Sequence, residues 1–187
     1  MIKPWKQLSS KLTYQDRWLT VRSHQLERPD GVVIEPFHII ENPEWVCICA
    51  LTTSGDVVAI REFRVGADKV TLGLVGGGVD DDDPDFAAAA RRELEEETGY
   101  RVDKMISIGR AYANWSNQNN QISYFLGLGA VPTGTQKLDE NEDIEPVLIP
   151  YEEFVTYDFD GPKQTHHAAA LFYVERFFKT HPEARPK

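Results

Sequence analysis

The chain has 187 residues, 41% of them apolar and 11% aromatic, which is enough to bury one substantial core. Its formal net charge of −10, with no cluster of basic residues, argues against a protein that coats nucleic acid by neutralising phosphates. The N-terminus, Met1-Ile2-Lys3-Pro4-Trp5, lacks the apolar run of a signal peptide and no stretch approaches a membrane span, so a cytoplasmic protein with no membrane partner is expected.

Residues 6–26 hold two apolar-alternating segments around Tyr14-Gln15-Asp16-Arg17, and a turn at Pro29-Asp30-Gly31 leads into Val32–Ile40. These predict a small antiparallel sheet. Strands over Val46–Leu51 and Val57–Arg64 follow, joined through Thr53-Ser54-Gly55-Asp56. Cys47 and Cys49 lie two apart on the first of these strands, share a face and are poorly placed for a disulfide. With no partner cysteines or Cys-x-x-Cys in the chain, they read as buried thiols.

The glycine run Gly76-Gly77-Gly78 precedes a helix expected from Pro84 to about Thr98, with Asp83 able to cap it and Gly99 stopping it in a left-handed conformation. Phe86, Ala87, Ala90 and Leu94 recur at helical spacing and should face a sheet. Its last turns read Arg91-Arg92-Glu93-Leu94-Glu95-Glu96-Glu97-Thr98-Gly99-Tyr100. Carboxylates at a helix C-terminus meet the negative end of the dipole. Glu93 and Glu97 are also four apart with like charge, which costs roughly 0.2–0.5 kcal/mol. Glu93, Glu96 and Glu97 fall within roughly 100° of arc. Such a face is either solvated or completed by a hard cation such as Mg²⁺ or Mn²⁺.

Downstream, Met105–Ala113, Ile122–Ala130 and Glu145–Ile149 read as strands. A short helix near Tyr151–Val155 and a longer one from about Lys163 to Lys179 close the chain, the latter striped by Ala168, Leu171, Phe172, Val174 and Phe178. The expected fold is α/β: a mixed sheet between helices in an α/β/α sandwich, with an N-terminal antiparallel β appendage. The expected division is 1–42 for the appendage and 43–187 for the main domain. The acidic segment Leu138-Asp139-Glu140-Asn141-Glu142-Asp143-Ile144 is by itself an ordinary solvated turn.

Gly78, Arg92, Glu93, Leu94, Glu96, Glu97, Gly99 and Tyr100 stand in the register of the Nudix box, Gly-x5-Glu-x7-Arg-Glu-U-x-Glu-Glu-x-Gly-U, which residues 78–100 therefore resemble. One position departs: the first glutamate of the pattern is Pro84, and a neighbouring Asp83 or Asp85 is the available substitute. The resemblance implies a metal-dependent pyrophosphohydrolase. Glu93, Glu96, Glu97 and the Gly77 carbonyl would be ligands to Mg²⁺ (or Mn²⁺), and Arg92 would orient a metal-binding glutamate.

Val57-Val58-Ala59-Ile60-Arg61-Glu62-Phe63-Arg64 and the acidic segment are similar to the ADP-ribose pyrophosphatase subgroup. That likeness implies Glu140 as the general base and Glu142 as a further metal ligand or alternative base. It also implies a homodimer paired through the N-terminal sheet, and hydrolysis of ADP-ribose to AMP and ribose 5-phosphate. Arg64 offers a planar donor fork to a phosphate or ribose. Trp18 and Trp115 either stack on a base or pack against protein.

Two segments depart from the subgroup, Leu74-Val75-Gly76-Gly77-Gly78 and the amide-rich Asn114-Trp115-Ser116-Asn117-Gln118-Asn119-Asn120-Gln121. The latter reads equally as a loop that hydrogen-bonds a sugar or base edge or as a surface turn. An NDP-hexose, a dinucleoside polyphosphate, a damaged nucleotide and a non-hydrolysing sensor therefore stay open as alternatives. No constellation supports His166-His167 as part of a nucleophile, and the zinc cysteines of the NADH-cleaving Nudix branch are missing.

Overall fold

The computed structural model describes residues 1–156 and 163–186. The described chain divides into two compact units, residues 1–44 with 112–121, and residues 45–111 with 122–187.

In the first unit β1 (Lys6–Gln15), β2 (Thr20–Glu27) and β3 (Val33–Glu41) form an antiparallel sheet in that order. The β1–β2 turn closes because Asp16 Oδ1 accepts the backbone N–H of Trp18 at 2.7 Å and of Leu19 at 2.8 Å. The β2–β3 turn needs Gly31, whose φ of +82° suits no β-branched or bulky residue. The whole of β1 is exposed, Leu8, Leu12 and Tyr14 included.

The amide-rich segment joins this unit as a structural turn. Asn117 O accepts from Ile40 N at 2.8 Å, Asn119 Oδ1 from Asn42 N at 3.3 Å, and Gln121 N donates to Glu44 at 3.2 Å. These bonds support a surface turn.

In the second unit, β4 (Trp45–Thr52), β5 (Asp56–Arg64), β9 (Gln121–Pro132) and β10 (Ile144–Pro150) build a sheet in the order β10-β5-β4-β9. It continues to the two-residue β7 (Tyr100–Arg101), with β6 (Lys69–Leu74) on β5 and β8 (Lys104–Tyr112) on β9. β4 and β9 run parallel, and β5 lies antiparallel to β4, β6 and β10, which makes the sheet mixed. β6 is a strand that sequence pattern alone does not predict. Its Lys-Val-Thr-Leu-Gly-Leu pattern is short and glycine-interrupted, and the segment becomes a strand by pairing with Ala59–Arg64.

Alternation along β4 decides the layers. Val46, Ile48 and Ala50 point to one face, where Val58, Ile60 and Val75 join them against Ala89, Ala90 and Leu94 of α1 (Phe86–Thr98). Cys47, Cys49 and Leu51 point to the other, with Val57 and Ala59, against Leu171, Val174 and Phe178 of α3 (Thr165–Thr180). Both cysteines are buried free thiols. The short α2 (Tyr151–Thr156) plugs Tyr151 and Phe154 into that second face. This is the expected α/β/α sandwich.

α1 begins two residues later than the sequence suggested. Asp85, not Asp83, is the N-cap, its Oδ1 accepting from Ala88 N at 2.8 Å, because the Asp83 carboxylate is bound elsewhere. Gly99 ends the helix as expected at φ +68°, its N–H on Glu95 O at 2.8 Å. Leu94 is fully buried where α1 meets the sheet. Leu94→Ala is expected to cost about 2–5 kcal/mol in urea unfolding, through lost transfer energy and the cavity left behind.

Candidate active site

The glycine run is stitched to the edge of β4: Ile48 N donates to Val75 O at 2.9 Å and Val46 N to Gly77 O at 3.0 Å. The backbone must come close there. A Cβ on Gly76 would stand 2.5 Å from Val46 O, and one on Gly77 would stand 2.4 Å from the Glu93 carboxyl carbon. The space a side chain would fill at Gly77 thus holds the Glu93 carboxylate.

Arg92 is the hub of the helix face. Its Nε and NH2 donate to the two oxygens of Asp83 at 3.2 and 2.9 Å, and NH2 also reaches Gly78 O at 3.0 Å. NH1 donates to Glu93 Oε1 at 2.9 Å and to Glu96 Oε2 at 3.0 Å. The guanidinium therefore neutralises the helix face that local sequence made repulsive, and it leaves the second oxygen of each glutamate out of these bonds. The Asp83 carboxyl lies below its usual range because Arg92 bonds it, and the Arg92 guanidinium is held still more firmly protonated by Asp83.

Glu97, one turn on, has no such partner. It is 5% exposed, and its Oε2 has no hydrogen bond among the described residues. Burial first, then the charges of Glu93, Glu62 and Glu142, push its carboxyl up to about 9, against a backbone hydrogen bond from Gly76 that pulls it down. Burial also pushes Glu93 up to about 7, opposed by Arg92 and reinforced by Glu96 and Glu142. Glu62 is raised by burial and by Glu142 while Arg64 lowers it.

The charges of three carboxylates, Glu93, Glu62 and Glu142, thus all bear on Glu97. Glu62 was missed in the sequence, although a signal existed. It follows Val58 and Ile60 at a spacing of two on β5, so it shares the face against which α1 packs.

Among the described residues no three His, Cys, Asp or Glu side chains converge tightly enough to hold one ion as they stand. The donor set nonetheless fits a hard divalent cation. It is all oxygen, it carries a buried carboxylate oxygen without a partner, and its raised carboxyls gain by meeting positive charge.

The remaining candidates fall apart into distinct settings. Arg64 pairs with Glu62 at 2.5 Å. Glu142 closes a turn on Asp139, whose N–H its Oε2 accepts at 3.0 Å, and its charge bears on the cluster. Glu140 is exposed at the tip of that turn. Trp18 lies in the first unit, exposed, with the Arg17 guanidinium 4.4 Å over its ring. Trp115 is exposed as well. His167 is a buried core histidine whose ring occupies the space beside Gly73, and burial depresses it to about 3.

Two family models match the chain: the NUDIX domain over residues 42–172, and the nucleoside diphosphate sugar hydrolase N-terminal domain over residues 5–40. The ADP-ribose pyrophosphatase of Bacillus subtilis (strain 168) is 24% identical over 149 residues, covering 79% of this chain and 80% of that protein. The crystal structure of an ADP compounds hydrolase has a TM-score of 0.84 at 24% identity, with 97% of each chain covered; at that identity the likeness is one of fold. Among the described residues no helix is long and apolar enough to cross a membrane.

Proposed function

This chain belongs to the Nudix family and is a pyrophosphohydrolase, and from that premise we propose that its substrate is a nucleoside diphosphate joined to a second moiety. ADP-ribose, cleaved to AMP and ribose 5-phosphate, is the first choice. The observation that carries the reading is the buried Glu97 carboxylate, unpartnered at Oε2, set among Glu93, Glu62 and Glu142 behind the Gly76–Gly78 backbone. The similarity to an ADP-ribose pyrophosphatase supports the choice of substrate.

In this reading Glu93, Glu96, Glu97, Glu142 and the Gly77 carbonyl hold Mg²⁺ or Mn²⁺. When bound, the ion supplies charge to the diphosphate oxygens and acidifies an attacking water. Arg92 holds Glu93 and Glu96 in place. Arg64 donates its fork to a phosphate or ribose. The water's proton goes to a carboxylate of the 138–144 segment. Glu140 is the candidate base, and Glu142, whose charge bears on Glu93 and Glu97, is the alternative.

An NDP-hexose, a dinucleoside polyphosphate or a damaged nucleotide remains the second reading, because the Leu74–Gly77 segment departs from the subgroup pattern. A non-hydrolysing sensor would not need this many candidate ligands. Comparing kcat/KM for ADP-ribose, GDP-mannose, UDP-glucose and diadenosine polyphosphates tests the substrate. Hydrolysis in oxygen-18 water should place the label in a product phosphate and leave the sugar carbon–oxygen bond intact. Cleavage of nucleoside triphosphates alone would overturn the ADP-ribose reading.

A cytoplasmic location and a homodimer complete the proposal, with residues 1–42 pairing the subunits and 43–187 forming the hydrolase domain. The exposed β1, with Leu8, Leu12 and Tyr14 uncovered, supports it. Light scattering at micromolar concentration is expected to give twice the 21.2 kDa chain mass. A fully active monomer would refute the pairing.

A further inference from the structure

We propose that Asp83 is the positioning residue that replaces the carboxylate missing at Pro84, by gripping Arg92 so that its remaining N–H groups hold Glu93 and Glu96 for the metal. The assignment rests on the carboxylate–metal reading above.

The geometry is specific. Asp83 takes two edges of the guanidinium, Nε at 3.2 Å and NH2 at 2.9 Å, which leaves NH1 to bridge Glu93 and Glu96. A single-point contact would let the planar head rotate; the fork-to-fork pair fixes its plane. Asp83 is itself held. Its Oδ2 accepts from Asp80 N at 2.9 Å, its N–H donates to Asp80 O at 3.1 Å, and its side chain is only 8% exposed. Asp80 adds a longer contact to Arg92 at 3.3 Å from a side chain that is 69% exposed, so it is the weaker partner.

Pro84 is exposed and can neither donate nor accept through its side chain. Asp85 is committed to capping α1. Of the carboxylates beside Pro84, Asp83 is therefore the one that the 80–83 turn folds back onto Arg92. The turn moves the acid one residue upstream, and a shorter side chain then suffices.

The experiment uses the full chain with four variants: Asp83→Ala, Asp83→Asn, Pro84→Glu, and Asp83→Ala combined with Pro84→Glu. Mn²⁺ binding is titrated calorimetrically without substrate, and folding is checked by thermal melting. Groups that hold metal ligands in place, as Arg92 holds Glu93 and Glu96, typically matter by roughly 10–100-fold, and Asp83→Ala, acting through Arg92, is expected to weaken Mn²⁺ by about tenfold. Pro84→Glu alone should change it by less than about threefold, and the double variant should return to within about threefold of the parent. Unchanged Mn²⁺ affinity in Asp83→Ala, or a loss that Pro84→Glu fails to restore, overturns the assignment.

If Asp83→Ala does not fold, Asp83→Asn decides. It keeps the shape, and an affinity equal to the parent's overturns the assignment. A second readout is independent of metal. The Arg92 Nε–H resonance should exchange slowly in the parent, quickly in Asp83→Ala, and slowly again in the double variant. A parent that binds no Mn²⁺ refutes the carboxylate–metal reading, and the Arg92 signal then still accepts or rejects the grip of Asp83.

Discussion

Glu97→Gln is expected to lower turnover of the pyrophosphate substrate by roughly 10²–10³-fold, the usual scale for removing one preorganised charge from a reacting centre. The same change should stabilise the metal-free protein at alkaline pH. The Glu97 carboxyl is raised from 4.5 to about 9 in the fold, and burial is the main cause. Between those values the folded state holds a proton that the unfolded state has released, so stability falls as pH rises through this window. Glu93, raised from 4.5 to about 7, adds to the slope at its lower end.

The melting temperature of the metal-free parent should therefore decline from pH 5 to pH 9, and Glu97→Gln should flatten that decline. Mg²⁺ added to the parent should raise its melting temperature by linkage, most strongly at the alkaline end where the carboxylates are ionised, and should do so weakly in the variant. A variant with full activity would remove Glu97 from the site. Equal pH slopes in the two proteins would show that its burial is not the source of the strain.

Arg92→Lys is the second large effect. Arginine satisfies Asp83, Glu93, Glu96 and Gly78 O from one planar head, and a lysine ammonium cannot span those directions with three donors on one nitrogen. Asp83 and Glu93 have side chains only 8% and 12% exposed, so some of their oxygens would be left buried without a partner. Unfolding in urea should show a loss of about 1–3 kcal/mol. Turnover should fall by roughly 10–100-fold, because Glu93 and Glu96 lose their orientation. The loss should not recover at saturating Mg²⁺, which separates misplacement of ligands from simple weakening of the ion. A Lys variant that matches the parent in both measurements would show that charge alone is needed at position 92.

The parts of the site legible in the sequence are those fixed by local geometry. Helical periodicity puts Glu93, Glu96 and Glu97 on one arc, makes Arg92–Glu96 an i,i+4 pair and ends the helix at Gly99, whatever the rest of the chain does. Alternation likewise predicts β4 and β5 and the shared face of Cys47 and Cys49. What only the tertiary structure decided involves residues far apart in the chain. Glu62 enters the cluster because Val58 and Ile60 pack on the α1 side, which commits the next residue of that parity to the same face. Asp83 meets Arg92 across nine residues through a turn that no propensity specifies. The extended segment Lys69–Leu74 becomes a strand only against β5. Local sequence sets which way a side chain points along its own element. Which charges then share a buried space depends on how the elements pack, and that is a property of the whole core.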